Sequence, residues 1–272
     1  MNKLKKIYVG RVAIITGAAS GIGHALATLL TELGAHVVWS DRDSDRLATP
    51  ERATTSKAAA LYLPVDVTQA DQVGQLIEQA HGHFGRIDFL FNNAGISGLL
   101  PIERATLAHW ENILAINLWG VIHGIQAVLP IMKAQGAGHI VNTASLSGLL
   151  PFPGQALYVT SKHAVVGLSE SLRHELAADG IAVSVACPGA VATEIWGKSL
   201  DGSLAPPRPA DAMPARDAAL AILQGVAERK GIIITPAAMK TSWRWFRWFP
   251  SLLEKTFRQM SAYLRQKPGY GG

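Results

Sequence analysis

Tyr158 and Lys162 stand four positions apart in the stretch Tyr-Val-Thr-Ser-Lys, with Ser145 thirteen residues upstream. On a helix, residues i and i+4 share a face, so the ammonium can lie close to the phenol. A neighbouring cation favours phenolate and moves the tyrosine toward working pH, which would make it a proton donor and acceptor. The same spacing also suits an exposed helix face, so the reading depends on the elements that would position the pair.

A glycine pattern supplies the first of these elements. Residues 11–16, Arg-Val-Ala-Ile-Ile-Thr, form a short apolar run rich in β-branched side chains and read as a buried strand. It leads into Gly17-Ala-Ala-Ser-Gly21-Ile-Gly23 and then into a stretch from His24 with helical periodicity. Strand, glycine turn and helix in this order offer free backbone N–H groups and the positive end of a helix dipole to a pyrophosphate. The glycines let the backbone approach, where a Cβ would hold a phosphate away. A second strand, Ala35-His-Val-Val-Trp-Ser-Asp41, ends in an acid about twenty residues beyond the glycines. A carboxylate there accepts from the adenosine ribose hydroxyls and repels a 2′-phosphate, which favours NAD(H). Arg42, the next residue, could clamp a 2′-phosphate and keeps NADP(H) as the alternative, while Ser20 in the loop adds no basic group.

Together these motifs resemble the short-chain dehydrogenase/reductase family of the classical type. The residues that carry the resemblance are Thr16-Gly17-x3-Gly21-x-Gly23, Asn92-Asn93-Ala94-Gly95, Asn117, Ser145, Tyr158 with Lys162, and Pro188-Gly189 followed by Val191 and Thr193. They run in the family's order from about residue 7 to about 236. The resemblance implies that Tyr158 is the acid/base in hydride transfer between a secondary alcohol and a ketone. Lys162 would depress its pKa and bond the nicotinamide ribose, Ser145 would donate to the substrate oxygen, and Asn117 would hold a water linking Lys162 to solvent. Ser147 could contest the role of Ser145, but the family's spacing to the tyrosine favours Ser145. Asp66 would lie near the adenine amino group, Asn93 behind the adenosine ribose, and Thr193 at the nicotinamide carboxamide. The resemblance also assigns Ile22, Val67, Ala94, Gly95, Pro188, Gly189 and Val191 to the cofactor's surroundings.

The rest of the chain fits an α/β protein. Further strands are expected near 60–64, 87–91, 138–144, 181–187 and 231–235, with helices near 69–82, 106–135, 157–179 and 215–229. Such alternation signals a doubly wound, mostly parallel Rossmann-type sheet covered by helices on both faces, its strand C-termini along one ligand crevice. We expect one catalytic domain over 1–236 and a C-terminal extension over 237–272. A 272-residue chain that is 49% hydrophobic can bury a full core. Its single cysteine, Cys187, excludes an internal disulfide and sits in an apolar strand, where it suits a reducing, cytoplasmic compartment. The nine histidines lack ligand spacing, and His81 and His83 flank a glycine in an expected loop, so no catalytic metal is expected. The basic opening leads through Gly10 and Arg11 into the first strand, so no leader is expected, nor any run near the roughly twenty apolar residues of a spanning helix.

Substrate contacts would come from Ser145, Tyr158, Leu146, Leu149, Leu150, Phe152, Ile195 and Trp196, under a family lid at about 195–214 whose middle, Leu204 to Pro209, reads as loop. That apolar set favours a steroid-, retinoid- or fatty-carbonyl-like compound. Residues 240–270 hold seven Lys or Arg against one acid, Glu254, and Trp243, Trp245 and Trp248 lie within six positions. Around and after Pro250, the residues Phe249, Leu253, Phe257, Met260 and Leu264 recur at helical spacing. This basic, tryptophan-flanked segment suits peripheral contact with a membrane surface, packing on a second subunit, or packing over the protein's own pocket. The net charge of +5 owes much to it and does not indicate nucleic acid. By family analogy the long helices would pair in a homodimer or homotetramer. The alternative from another class is a catalytically silent, dinucleotide-sensing binding module, which would be expected to have lost the Ser145, Tyr158 and Lys162 set.

Overall fold

The computed structural model describes residues 1–47, 59–197, 200–202 and 208–266. A short helix, α1 (Asn2–Tyr8), precedes β1 (Val12–Thr16), α2 (Gly21–Glu32), β2 (His36–Asp41), the single turn α3 (Ser44–Leu47) and β3 (Ala60–Pro64). Next come α4 (Ala70–Phe84), β4 (Phe89–Asn92), α5 (Leu107–Leu114), a π-helical turn (Ala115–Trp119), α6 (Gly120–Gln135), β5 (Gly138–Thr143) and α7 (Ala156–Glu175). The chain continues through β6 (Ile181–Pro188), β7 (Val191–Ala192), β8 (Met213–Pro214), α8 (Ala215–Ala227), β9 (Ile232–Thr235), α9 (Met239–Trp248) and α10 (Pro250–Arg265).

Among the described residues, seven strands pair in the order β3-β2-β1-β4-β5-β6-β9, every pair parallel. The order reverses between β1 and β4, which opens a crevice at the strand C-termini. Alternate residues of each strand feed two cores, as the two-residue period requires. Ile14, Val38, Leu90, Ile140 and Val185 face α4, α6 and α7, where they meet Leu76, Ile125 and Val165. Ile15, Val37, Phe91, Val141 and Ala186 face α2 and α8, where they meet Leu26, Leu30, Ile222 and Leu223. A sheet buried on both faces favours near-continuous apolar strands, and β1 is buried at all five positions and apolar from Val12 to Ile15.

Five features depart from the sequence expectations. The N-terminal run forms α1 because Leu4 and Tyr8, one turn apart, bury on one side and the Tyr8 hydroxyl donates to the Leu223 carbonyl at 2.7 Å. His81 and His83 lie in the last turn of α4 rather than in a loop, since the helix runs through Gly82 and ends at Gly85, which takes a φ of +72°. The 106–135 stretch is broken by the π turn at Ala115–Trp119, and the tryptophan-rich segment is itself helical. Leu107–Gln135 is also long and apolar enough, by length and composition, to cross a membrane. Ile113, Val121, Ile125, Val128 and Met132 of that stretch are buried, and this core packing accounts for its apolar character.

Gly23 holds β1 and α2 together. A Cβ there would be driven into the Gly17 carbonyl oxygen and against the Asn93 side chain. Gly23→Ala should therefore overpack the junction by about 1–3 kcal/mol and lower Tm by roughly 2–12 °C. An unchanged melting curve would mean that helix and strand can part without cost.

Candidate active site

One cleft of about 720 Å³ runs along the C-terminal edge of the sheet. Its floor begins at the β1–α2 turn. Gly17 and Gly21 take φ of +69° and +57°, and a Cβ on Gly17 would stand 2.8 Å from the Ala94 Cα, so only glycine lets these two loops approach. No side chain caps the first turn of α2, and that turn holds no acidic residue, which leaves backbone N–H donors and the positive helix end at the cleft. Such a cradle fits a dinucleotide pyrophosphate. Ser20, Gly21 and Ile22 line it; Gly23 does not, because its place is the packing contact described above.

Asp41, at the end of β2, lies on the cleft wall with Arg42 and Asp66. Its carboxylate accepts from the Ala19 N–H at 2.9 Å and from the Asp43 N–H at 3.1 Å, which fixes its orientation at the floor. Asp66 accepts from the Thr68 backbone and hydroxyl, both at 2.9 Å, and Val67 lines the wall beside it. Sequence reasoning missed an ion pair in the same cleft: Arg46 of α3 meets Glu194, just past β7, through two N···O contacts of 2.5 and 2.9 Å. Both partners are about half exposed, so the pair contributes at most about 1 kcal/mol and opens at little cost. No local pattern marks residues this far apart in sequence as partners.

The Asn-Asn-Ala-Gly turn is tied to β1 through Thr16, whose hydroxyl accepts from the Asn93 and Ala94 N–H groups at 3.0 and 3.1 Å. The Asn93 amide donates to the Thr16 carbonyl at 3.1 Å and its carbonyl accepts from Thr143 at 3.3 Å. Behind it, Asn92 donates to Asn142, which donates to Ser169, each at 2.9 Å, forming a buried polar rung between β4, β5 and α7. Asn117 sits in the π turn, and its fully buried amide accepts from the Ile96 N–H at 2.8 Å and donates to the Ile96 carbonyl at 3.0 Å and to Ser161 at 3.1 Å. It pins the loop after Gly95 to α7 but does not itself line the cleft. π turns of this kind recur at functional sites.

Ser145, Tyr158 and Lys162 converge at the other end of the cleft, joined by Thr143, Pro188, Gly189, Val191 and Thr193. The Lys162 ammonium donates to the Thr143 carbonyl at 3.0 Å and lies 5.6 Å from the centre of the Tyr158 ring. The Ser145 hydroxyl accepts from the Ser147 N–H at 3.1 Å, whereas the Ser147 hydroxyl points to Gln155 at 3.4 Å, so Ser145 is the serine that meets the tyrosine. The electrostatics differ from the sequence expectation. Burial raises the Tyr158 pKa, with the hydrogen bond from Ser145 opposing the rise, and no lowering by Lys162 is evident. Desolvation of the phenol outweighs the other influences on it, and burial acts on the lysine too, pushing it down to about 8. Cys187 is buried nearby, and desolvation pushes its thiol up to about 12, which keeps it neutral.

Apolar groups surround this end of the cleft. Leu146, Phe152, Ile195 and Trp196 line it as expected, and the Trp196 indole N–H is satisfied by the Val191 carbonyl at 2.7 Å, so the ring presents an apolar face. Leu149 and Leu150 do not line it; both are packed in the core beside β5 and α7. The tail supplies a residue not assigned to the site from sequence: Met260 of α10 reaches the cleft wall. The expected loop at Leu204 to Pro209 lies outside the described residues up to position 207, and Pro209 lines the cleft.

Comparison with known proteins agrees with this geometry. The family model described as short chain dehydrogenase matches residues 11–203. An uncharacterized oxidoreductase of Staphylococcus saprophyticus is 42% identical over 197 residues, covering 72% of this chain and 78% of the relative. A short chain dehydrogenase/reductase from Burkholderia phymatum, solved in complex with NAD, is 34% identical with a TM-score of 0.81, covering 90% of this chain and 95% of the other. A short chain dehydrogenase from Burkholderia cenocepacia, solved in complex with NADP, is 25% identical with a TM-score of 0.79, covering 92% and 98% of the two chains.

Proposed function

The chain belongs to the short-chain dehydrogenase family, and from that premise we propose that it interconverts a lipophilic secondary alcohol and the corresponding ketone with Tyr158 as acid/base. As a member it is an oxidoreductase acting on CH–OH donors with a nicotinamide dinucleotide. The support for the finer reading is the convergence of Ser145, Tyr158 and Lys162 in one cleft with a glycine cradle and Asp41.

The dinucleotide supplies or accepts the hydride, and the cradle of Gly17, Ser20, Gly21 and Ile22 would hold its pyrophosphate. Asp41 would take the adenosine ribose hydroxyls; Asp66, Val67, Asn93, Ala94 and Gly95 would line the adenosine side, and Pro188, Gly189, Val191 and Thr193 the nicotinamide side. In the reducing direction the Tyr158 hydroxyl delivers a proton to the substrate oxygen while Ser145 donates a hydrogen bond to it. In the oxidising direction the same oxygen atom of Tyr158 takes the proton back. Lys162, held by Thr143, would bond the nicotinamide ribose and pass protons outward, and Asn117 is a positioning residue that fixes the loop beside it, with a water at the π turn completing the path.

We take 1–236 as the catalytic domain and 237–272 as an extension, in a cytoplasmic homodimer or homotetramer that touches membrane through its tail. Leu107 and Trp119, exposed on the long helical stretch, supply apolar surface for the subunit contact. Gel filtration at micromolar concentration should show the assembly, and a monomer alone would contradict it.

NAD(H) is the preferred cofactor in this reading because Asp41 stands where a 2′-phosphate would be repelled. Asp41→Ala should weaken NADH by about tenfold or more, the worth of a charged hydrogen bond, while leaving or improving NADPH binding. If the ratio of the two affinities is unmoved, the discrimination belongs to Arg42. The activity itself is tested by following NADH consumption with a panel of medium-chain, alicyclic and steroidal ketones beside short water-soluble ones. Turnover confined to the short polar ketones would overturn the lipophilic assignment, which rests on Leu146, Phe152, Ile195, Trp196 and Met260.

A further inference from the structure

Two helices beyond the last strand fold back over the site. Met239, Trp243 and Phe246 of α9 and Phe257 of α10 pack on the core. Phe257 meets Phe152 at 6.0 Å in an edge-on contact and Phe246 at 6.0 Å in another, so an aromatic chain links the tail to a residue of the substrate wall. One turn after Phe257 along α10, Met260 faces the cleft.

The opposite side of this hairpin is of another character. Trp245, Trp248 and Phe249 are 52%, 75% and 52% exposed, and they share one face of α9 and its C-terminal end. Trp245 and Phe249 touch at 5.7 Å, and Trp248, one turn along from Trp245, adds a third exposed ring to the ridge. Arg244 and Arg247 are exposed on the same helix, Arg247 lying over the Trp243 ring at 5.7 Å, and Lys255 and Arg258 are exposed on α10. From Met239 to Arg265 the chain carries six basic residues and one acid, Glu254. Three large exposed rings within five residues mark an interaction surface. Exposed indoles on a basic helix pair match the headgroup region of an anionic bilayer, where rings enter the interface and each nearby cation strengthens attachment about fivefold.

We infer that α9 and α10 form an interfacial membrane-docking element, with Trp245, Trp248 and Phe249 inserted among anionic lipid headgroups and Met260 at the rim of a substrate mouth that opens beside the bilayer. The occupant of this face is the lipid surface, chosen by charge complementarity: six basic residues against one acid over Met239 to Arg265. The part concerning the mouth rests on the proposed oxidoreductase function; the docking itself does not. A lipophilic ketone dissolved in the bilayer would then reach the cleft without crossing water.

The test uses the full chain and sedimentation with vesicles of phosphatidylcholine alone or mixed with phosphatidylglycerol. Binding to the mixed vesicles at least tenfold tighter than to phosphatidylcholine, weakened by salt, is expected. Trp245→Ser with Trp248→Ser, and separately Arg244→Glu with Arg247→Glu, should each reduce it tenfold or more while NADH binding and turnover of a short water-soluble ketone stay as in the parent. NADH binding shows that each variant is folded and that the cleft is intact, so loss of docking and failure of the enzymatic reading are told apart. A chain that binds NADH but stays in solution with phosphatidylglycerol vesicles overturns the inference, as does vesicle binding indifferent to both variants. A change in oligomeric state without vesicle binding also overturns it, and assigns the ridge to a second copy of the chain.

Discussion

Tyr158→Phe is expected to lower kcat on the order of 10²–10⁴-fold while the Kd for NADH stays within about twofold. The substitution deletes one hydroxyl and keeps the ring, whose packing beside Lys162 and along α7 is undisturbed. Turnover fails because, among the described residues, no other group beside Ser145 is placed to take its part: Cys187 is held neutral by burial, and the Ser147 hydroxyl is engaged with Gln155. The pH dependence of the parent enzyme follows with its sign. Burial raises the Tyr158 pKa, so the phenol stays protonated at neutral pH and is ready to donate. Ketone reduction should therefore be flat through neutral pH and fall in alkali, while alcohol oxidation, which needs the phenolate, should climb with pH. Equal profiles in the two directions would remove Tyr158 as the titrating group. Lys162, pushed down to about 8 by burial, gives up its charge at lower pH than the raised phenol.

Ser145→Ala should cost about 10²–10³-fold in kcat with little change in KM, the loss typical of one donor aimed at a developing oxyanion. Ser145 also accepts from the Ser147 N–H at 3.1 Å, so part of the effect could arise from a loosened turn. Ser145→Thr separates the two, since it keeps the hydroxyl and should restore most of the rate. An alanine variant with raised KM and unchanged kcat would show that Ser145 binds substrate and transition state alike, and would remove it from catalysis.

What the sequence could disclose was set by how local each signal is. β1, the Gly17 turn and α2 follow from consecutive residues whose periodicity changes from buried strand to amphipathic helix, and they stand where expected. The spacing of Tyr158 and Lys162 likewise survives folding because α7 is regular through both. Charge states are a different matter, because they depend on burial by residues distant in sequence: the same packing that brings Lys162 under Tyr158 strips both of solvent and raises the phenol rather than lowering it. The π turn around Asn117 carries no marker in its own residues; it answers to the need of a buried amide to reach Ile96 and Ser161 at once. Leu149 and Leu150 misled because an apolar run after a strand suits a pocket wall and a core equally, and only their position against α7 decides it. Arg46 with Glu194, and Met260 at the cleft, are meetings of residues with no shared local pattern.

The central claim is hydride transfer between a nicotinamide dinucleotide and a carbonyl carbon in this cleft. The most direct measurement supplies the purified chain with NADH deuterated at the carbon that transfers, together with a ketone that it turns over, and reads the alcohol by mass spectrometry. The account predicts one deuterium on the carbinol carbon, delivered to a single face and absent with Tyr158→Phe. NADH that binds in the cleft but yields no labelled alcohol from any ketone of the panel would contradict it and point to a protein that senses the dinucleotide without using it.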